Sequence, residues 1–115
     1  MRNDKENVIV KLSLEFALEI IEYCEILEGH KKYVIAKQLL RSGTSIGANV
    51  REAQNAESKA DFIHKMKIAA KETDETEYWL LLCFMSKNYP KHPSLSDKLH
   101  SIINIVSKII STSKT

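Results

Sequence analysis

Apolar residues recur every three or four positions through four stretches of this chain, a period that predicts four helices and no strands. The first helix is predicted from Lys5 to Glu28, with Asn3 or Asp4 as its N-cap and Gly29 as its stop. Leu12, Phe16, Ile20, Tyr23 and Leu27 fall on one face, and Lys11, Glu15, Glu19, Glu22 and Glu25 share a polar arc. Its apolar surface is wider than one core-facing stripe requires. The surplus at Leu14, Leu18 and Ile21 predicts a second contact, between subunits. The second helix is predicted from Lys32 to Ala56, with Ile35, Leu39, Ile46, Val50 and Ala53 facing inward. A third opens after Ser58 as N-cap and runs to Lys87, its apolar face carrying Phe62, Ile63, Met66, Ala69, Ala70, Thr73, Leu80, Leu81 and Phe84. Such a helix is roughly 40 Å long at ~1.5 Å per residue, so its partners must be rods of similar length. Pro90 and Pro93 then impose a loop, and a fourth helix follows Ser94 or Ser96 through Leu95, Leu99, Ile102, Ile103, Val106, Ile109 and Ile110. The expected architecture is all-α, an up-down-up-down antiparallel four-helix bundle forming one domain over residues 1–115, and self-associating.

Two positions interrupt these patterns. The run SGTSIGAN places Gly43 and Gly47 in the middle of the second helix, each at ~1 kcal/mol against Ala in helix propensity. Glycines at i and i+4 beside an inward face let a neighbouring backbone approach closely; the other reading is a kink or an anion-binding turn at Ser42, Thr44 and Ser45. Arg41 and Arg51 rule out a membrane helix pair, which shares the same glycine spacing. Glu77 falls within the third helix's apolar stripe, one turn from Thr73 and Leu81. A buried carboxylate needs a partner, for which Asn49 is the nearest candidate and Arg51 of a neighbouring subunit the next. Glu77 reads either as a polar tie fixing helix register or as a catalytic acid.

Composition narrows the classes. Hydrophobic residues make up 43% and charged residues 28%, with 3 Gly and 2 Pro, which fits an ordered helical chain and not a disordered one. Cys24 and Cys83 lie within helical stretches without CxxC or Cys/His spacing and read as buried reduced thiols. The N-terminal MRNDKENVIV is not a signal peptide, and no run approaches the ~18 apolar residues of a membrane span, so the expected compartment is the cytoplasm.

The search for chemistry returns little. A di-iron bundle needs Glu-x-x-His on two helices. The near matches here, Asp61 with His64 and Asp97 with His100, fall away from the apolar stripes, so no metal and no cofactor is expected. There is no phosphate-cradling glycine loop and no nucleophile elbow, and the chain reads as a non-enzyme. The net charge is only +2, too small to imply nucleic-acid binding by itself. Locally, Lys37, Arg41 and Arg51 share an outward face of the second helix, and Lys67 and Lys71 one of the third. They read either as a nucleic-acid-binding patch that sums over an oligomer or as solvated charges among Glu72, Asp74 and Glu75.

The motifs SGTSIGANVREA at Ser42 to Ala53, Ser58 with Asp61, Phe62 and Ile63, and KETDETEYWL at Lys71 to Leu80 closely resemble the bacterial four helix bundle proteins, also called 23S rRNA intervening sequence proteins. The resemblance runs over nearly the whole chain. It implies an up-down bundle assembling into a five-subunit ring, with Asn49, Glu52, Glu72, Glu75 and Glu77 at the family's characteristic polar positions and no established catalytic role. Together with Thr73 on the third helix's inward face, Asn49, Glu52 and Glu77 are the candidate buried polar or interface positions. The family's name records where some of its genes lie, within inserts of large-subunit ribosomal RNA genes. A related group, the accessory proteins of diversity-generating retroelements, is similar in fold and uses a basic barrel surface to contact a reverse transcriptase and nucleic acid; the near-neutral charge of this chain departs from that group. The expected partners are further copies of the chain, a pentamer, and RNA or an RNA-associated protein. The alternative is a protein-only scaffold or an accessory subunit of a larger complex such as a reverse transcriptase.

Overall fold

A computed structural model describes residues 4–114, which form four helices: α1 (Asp4–Gly29), α2 (Tyr33–Ala53), α3 (Lys59–Met85) and α4 (Ser94–Ser113). The expected N-cap Asn3 lies outside the described residues. α1 runs through Gly29, one residue past its expected end at Glu28, and its closure lies two residues further on. Lys31 adopts the left-handed conformation at φ 63°, and the Lys32 amide donates to the Leu27 carbonyl at 2.9 Å while the Lys31 amide donates to Glu28. This is the Schellman pattern of closure, with Lys31 and not Gly29 in the strained position. α2 ends at Ala53, three residues earlier than expected, because residues 54–56 tighten into i→i−3 turns from Gln54 to Arg51, Asn55 to Glu52 and Ala56 to Ala53. Ser58 caps α3 as its spacing predicts: its hydroxyl accepts from the Asp61 amide at 3.0 Å.

The C-terminal end of α3 is closed by a side chain from the following loop. Ser86 turns extended, and Lys91 Nζ donates to the carbonyls of Cys83, Phe84 and Ser86, carbonyls that the helix end leaves without amide partners. The same loop is tied to α1 by the Tyr23 hydroxyl, which donates to the Pro90 carbonyl at 2.7 Å, and by the His92 ring edge-on to Tyr23. It is tied to the start of α2 by Lys32, whose ammonium sits 4.9 Å from the Tyr89 ring centroid.

Each helix packs against two others: α1 on α2 and α4, α3 on α2 and α4, within a rod of 46 × 20 × 19 Å. In cross-section the helices stand at the corners of a square, with α1 diagonal to α3. The core runs the length of the rod through Phe16, Ile20, Leu39, Ile46, Leu99 and Ile102, each 0–1% exposed. Each such side chain stabilises the fold by about 1.5–3 kcal/mol through burial. The glycines serve close packing. A Cβ on Gly43 would stand 2.9 Å from Ile20 Cγ2, and one on Gly47 3.3 Å from the Ser13 carbonyl oxygen, so both admit α1. Ser42, the residue before Gly43, is buried within the helix and hydrogen-bonds the equally buried Thr76 of α3, hydroxyl to hydroxyl at 2.9 Å.

Cys24 and Cys83 are buried and unlinked, and desolvation raises both thiols, Cys24 to about 12. No helix among the described residues is long and apolar enough to cross a membrane.

Candidate functional site

Three surfaces hold the residues singled out by sequence. The first is the α2/α3 seam. Lys37, Arg41, Arg51, Lys67 and Lys71 are all exposed, as expected of outward positions, and Arg41 lies on this seam. Arg41 differs from the rest. Its guanidinium lies 3.5 Å from Glu72 Oε1 and bonds Glu75, whose other donor is the Trp79 indole N–H at 3.0 Å. The Arg41 guanidinium, and then the Trp79 N–H, hold the Glu75 carboxyl below its usual range. Arg41 is therefore a bridge between helices, and its charge is already matched. Farther along the seam Lys65 pairs with Glu52 at 3.1 Å. Lys37, Arg51, Lys67 and Lys71 have no ion-pair partner among the described residues.

The second surface is a groove between α3 and α4, of about 540 Å³, lined by Tyr78, Leu81, Phe84, Pro93, Asp74 and Glu77 with Ser96 and His100. Here the sequence expectation for Glu77 is corrected. Its side chain is 49% exposed, and its partner is His100, whose Nε2 lies 2.9 Å from Glu77 Oε2. Asn49 instead donates to the Ser45 carbonyl within α2. The reason is helix register: the buried face of α3 runs through Met66, Ala69, Thr73, Thr76, Leu80 and Cys83, alternating three and four residues. Thr76 takes the inward position assigned to Glu77, and Leu81 and Phe84 turn outward at 51% and 62% exposure. Of the four expected buried polar positions, Thr73 is buried, Asn49 half-buried, and Glu52 and Glu77 exposed. The bulk of Leu81 and Phe84 hid the register; the unbroken 3-4 spacing of smaller residues is the signal that could have revealed it.

The third surface is a shallow groove of about 320 Å³ on the opposite side of the rod, between α1 and α2. Val10, Leu14 and Ala17 of α1 meet Thr44, Gly47, Ala48 and Arg51 of α2 around it. Leu14 is 49% exposed and Leu18, beside it on the outer face, 55%. The apolar surplus of the first helix is thus real and uncovered within one chain.

Among the described residues no cluster of three or more His, Cys, Asp or Glu could hold a metal ion. What the α3/α4 groove offers chemically is a carboxylate and an imidazole at hydrogen-bonding distance beside an aromatic and aliphatic wall. This combination suits recognition of a partner with apolar and cationic side chains.

The chain is similar to a crystal structure of a protein of unknown function from the S23 ribosomal protein family of Bacteroides thetaiotaomicron VPI-5482, at 44% identity and a TM-score of 0.88 over 93% of this chain and 98% of that one. No curated protein matches it. The family model for 23S rRNA-intervening sequence protein matches residues 5–112. With almost the full length of the chain matched, and with a four-helix bundle in hand, the chain belongs to the 23S rRNA-intervening sequence protein family.

Proposed function

We propose that this chain is a cytoplasmic, non-enzymatic, single-domain module that assembles with copies of itself into a pentameric ring, and that the ring contacts RNA or an RNA-associated protein. The observation that carries self-association is the pair of uncovered apolar grooves, α1/α2 and α3/α4, on opposite sides of one rod. Exposed Leu14, Leu18, Ile21, Leu81 and Phe84 in contiguous surfaces mark interaction sites, not a scatter of tolerated apolar residues. The exposed cations Lys37, Arg51, Lys67 and Lys71, none with an ion-pair partner among the described residues, support an RNA partner, with Arg41 already matched by Glu72 and Glu75. Repetition around a ring would sum these otherwise modest charges.

A protein-only scaffold, or an accessory subunit of a larger complex such as a reverse transcriptase, is the second reading. The closure of Arg41 by Glu72 and Glu75 favours it, since it removes one cation from the face. Light scattering of the purified protein, alone and with structured RNA at ~0.15 M salt, separates the two. The RNA reading expects an oligomer whose mass rises with RNA and no longer rises when Lys37, Arg51, Lys67 and Lys71 are replaced by Gln. An oligomer indifferent to RNA leaves the scaffold, and a monomer overturns both.

A further inference from the structure

Apolar exposure is not spread evenly along the rod. Among the described residues the four most exposed large apolar side chains are Val34 at 78%, Met85 at 72%, Phe84 at 62% and Tyr33 at 59%. All four belong to the first turn of α2 or the last turn of α3. These two helix ends stand together, since α2 packs on α3 and Lys32, just before α2, lies over the ring of Tyr89, just beyond α3. Phe84 lines the α3/α4 groove. Tyr33, Val34 and Met85 stand at the end of a rod 20 × 19 Å across.

The same end is cationic. Its two connections, residues 30–32 and 86–93, carry Lys31, Lys32, Lys87 and Lys91 and no acidic residue, the flanking helix turns adding Glu25, Glu28 and Asp97. The connection at the opposite end, residues 54–58, carries Glu57 and no cation. Lys91 is committed to the α3 carbonyls and Lys32 to Tyr89, whereas Lys31 and Lys87 are exposed and in no ion pair among the described residues. Lys31 also holds a left-handed backbone position, at φ 63°, that glycine would occupy without strain. A side chain kept at that cost, on an exposed turn, points to a use for the side chain.

An exposed apolar tip among lysines fits an anionic partner that can also bury aliphatic groups. Charged lipid headgroups with acyl chains beneath them offer both. A nucleic-acid strand meets cations with phosphates and aromatic faces with bases, but leaves aliphatic Val34 and Met85, the two most exposed, without a partner. We propose that this end of the bundle docks on an anionic lipid surface. Val34 and Met85 enter the boundary between headgroups and acyl chains, Tyr33 sits at headgroup level, and Lys31 and Lys87 lie against anionic headgroups. The contact is peripheral, and no helix enters the bilayer. It uses none of the residues on which the RNA reading rests, so either can fail without the other.

Sedimentation of the full chain with vesicles is the test, using phosphatidylcholine alone or mixed with an equal share of phosphatidylglycerol, in ~0.15 M salt. Binding to the anionic vesicles is expected to be about tenfold or more stronger than to the neutral ones. Lys31→Gly is expected to weaken that binding about fivefold while raising the unfolding midpoint, so that the loss cannot come from a damaged fold. Val34→Ser combined with Met85→Ser, both at exposed positions and checked by far-UV circular dichroism, is expected to weaken it about tenfold. No sedimentation with anionic vesicles, or binding indifferent to headgroup charge, overturns the proposal. Full affinity in the serine variant reduces the contact to diffuse charge attraction and overturns it as well, as does full affinity in Lys31→Gly. A single-stranded RNA oligonucleotide that binds in place of vesicles, weakened by Lys31→Gly and indifferent to the serine pair, assigns this end to nucleic acid instead.

Discussion

At Lys31 a side chain occupies a left-handed backbone position, while two residues earlier Gly29, at an ordinary φ and with open space around its missing Cβ, gains nothing from being glycine. The two residues are misallocated for stability. Gly29→Ala is expected to raise stability by about 0.5–1 kcal/mol through helix propensity, and Lys31→Gly by up to about 1 kcal/mol through relief of strain. Gly43→Ala should do the reverse, since its Cβ would collide with Ile20. Urea unfolding midpoints at unchanged m-value decide all three. A second residue-scale prediction concerns Ser42 and Thr76. Thr76→Val leaves the Ser42 hydroxyl buried with only a 3.5 Å approach to the Leu39 carbonyl, at a cost of about 1–3 kcal/mol. Adding Ser42→Ala should recover part of that loss; strictly additive losses in the double-variant cycle would show that the two hydroxyls are not coupled.

Among the elements, the four helices, the Ser58 cap and the break at Pro90 and Pro93 were all legible, because period, cap chemistry and proline geometry act locally. The close approach at Gly43 and Gly47 was legible for the same reason. The orientation of α3 was not. A helix of 27 residues offers more than one near-apolar face, and sequence weighs hydrophobicity where packing weighs volume. Thr76 meets the buried Ser42 of α2, with Thr73 and Ala69 buried on the same face, and that selects a face poorer in apolar residues than the one carrying Leu81 and Phe84. Rotating α3 in this way moves Glu77 into solvent and within reach of His100, a pairing between helices that no local spacing announces. The Lys91 closure of α3 lay beyond sequence for a related reason, since it depends on a loop folding back on the helix end just left.

For the molecule as a whole, the three groups that burial perturbs most are gathered in one place. Cys24, Cys83 and Tyr23 interact across α1 and α3, and desolvation raises all three. Each is neutral in the folded state and ionises more readily once unfolded. Their contribution to stability is therefore complete below the ordinary thiol value of 9.0 and declines as pH rises from there toward about 12. Unfolding midpoints should fall above pH 9, and Cys24→Ser should fall less steeply than wild type; a flat profile would mean that the thiols ionise equally in both states. At pH 8 neither thiol should react with a maleimide until the bundle opens, because the reactive species is the thiolate. The helices meet one another around the square in the order in which the chain lays them down, and α4 returns to lie beside α1. The topology is cyclic: the start of α1 and the end of α4 reach the same end of the rod, and the α2/α3 turn lies at that end too. Joining the chain ends and opening that turn at residues 54–57 would remove no seam between helices, whereas opening the α3/α4 loop would release Lys91 and the Tyr23 tie. Of the two ends of this rod, then, one is a place where the chain could be cut and the other a place where it is fastened.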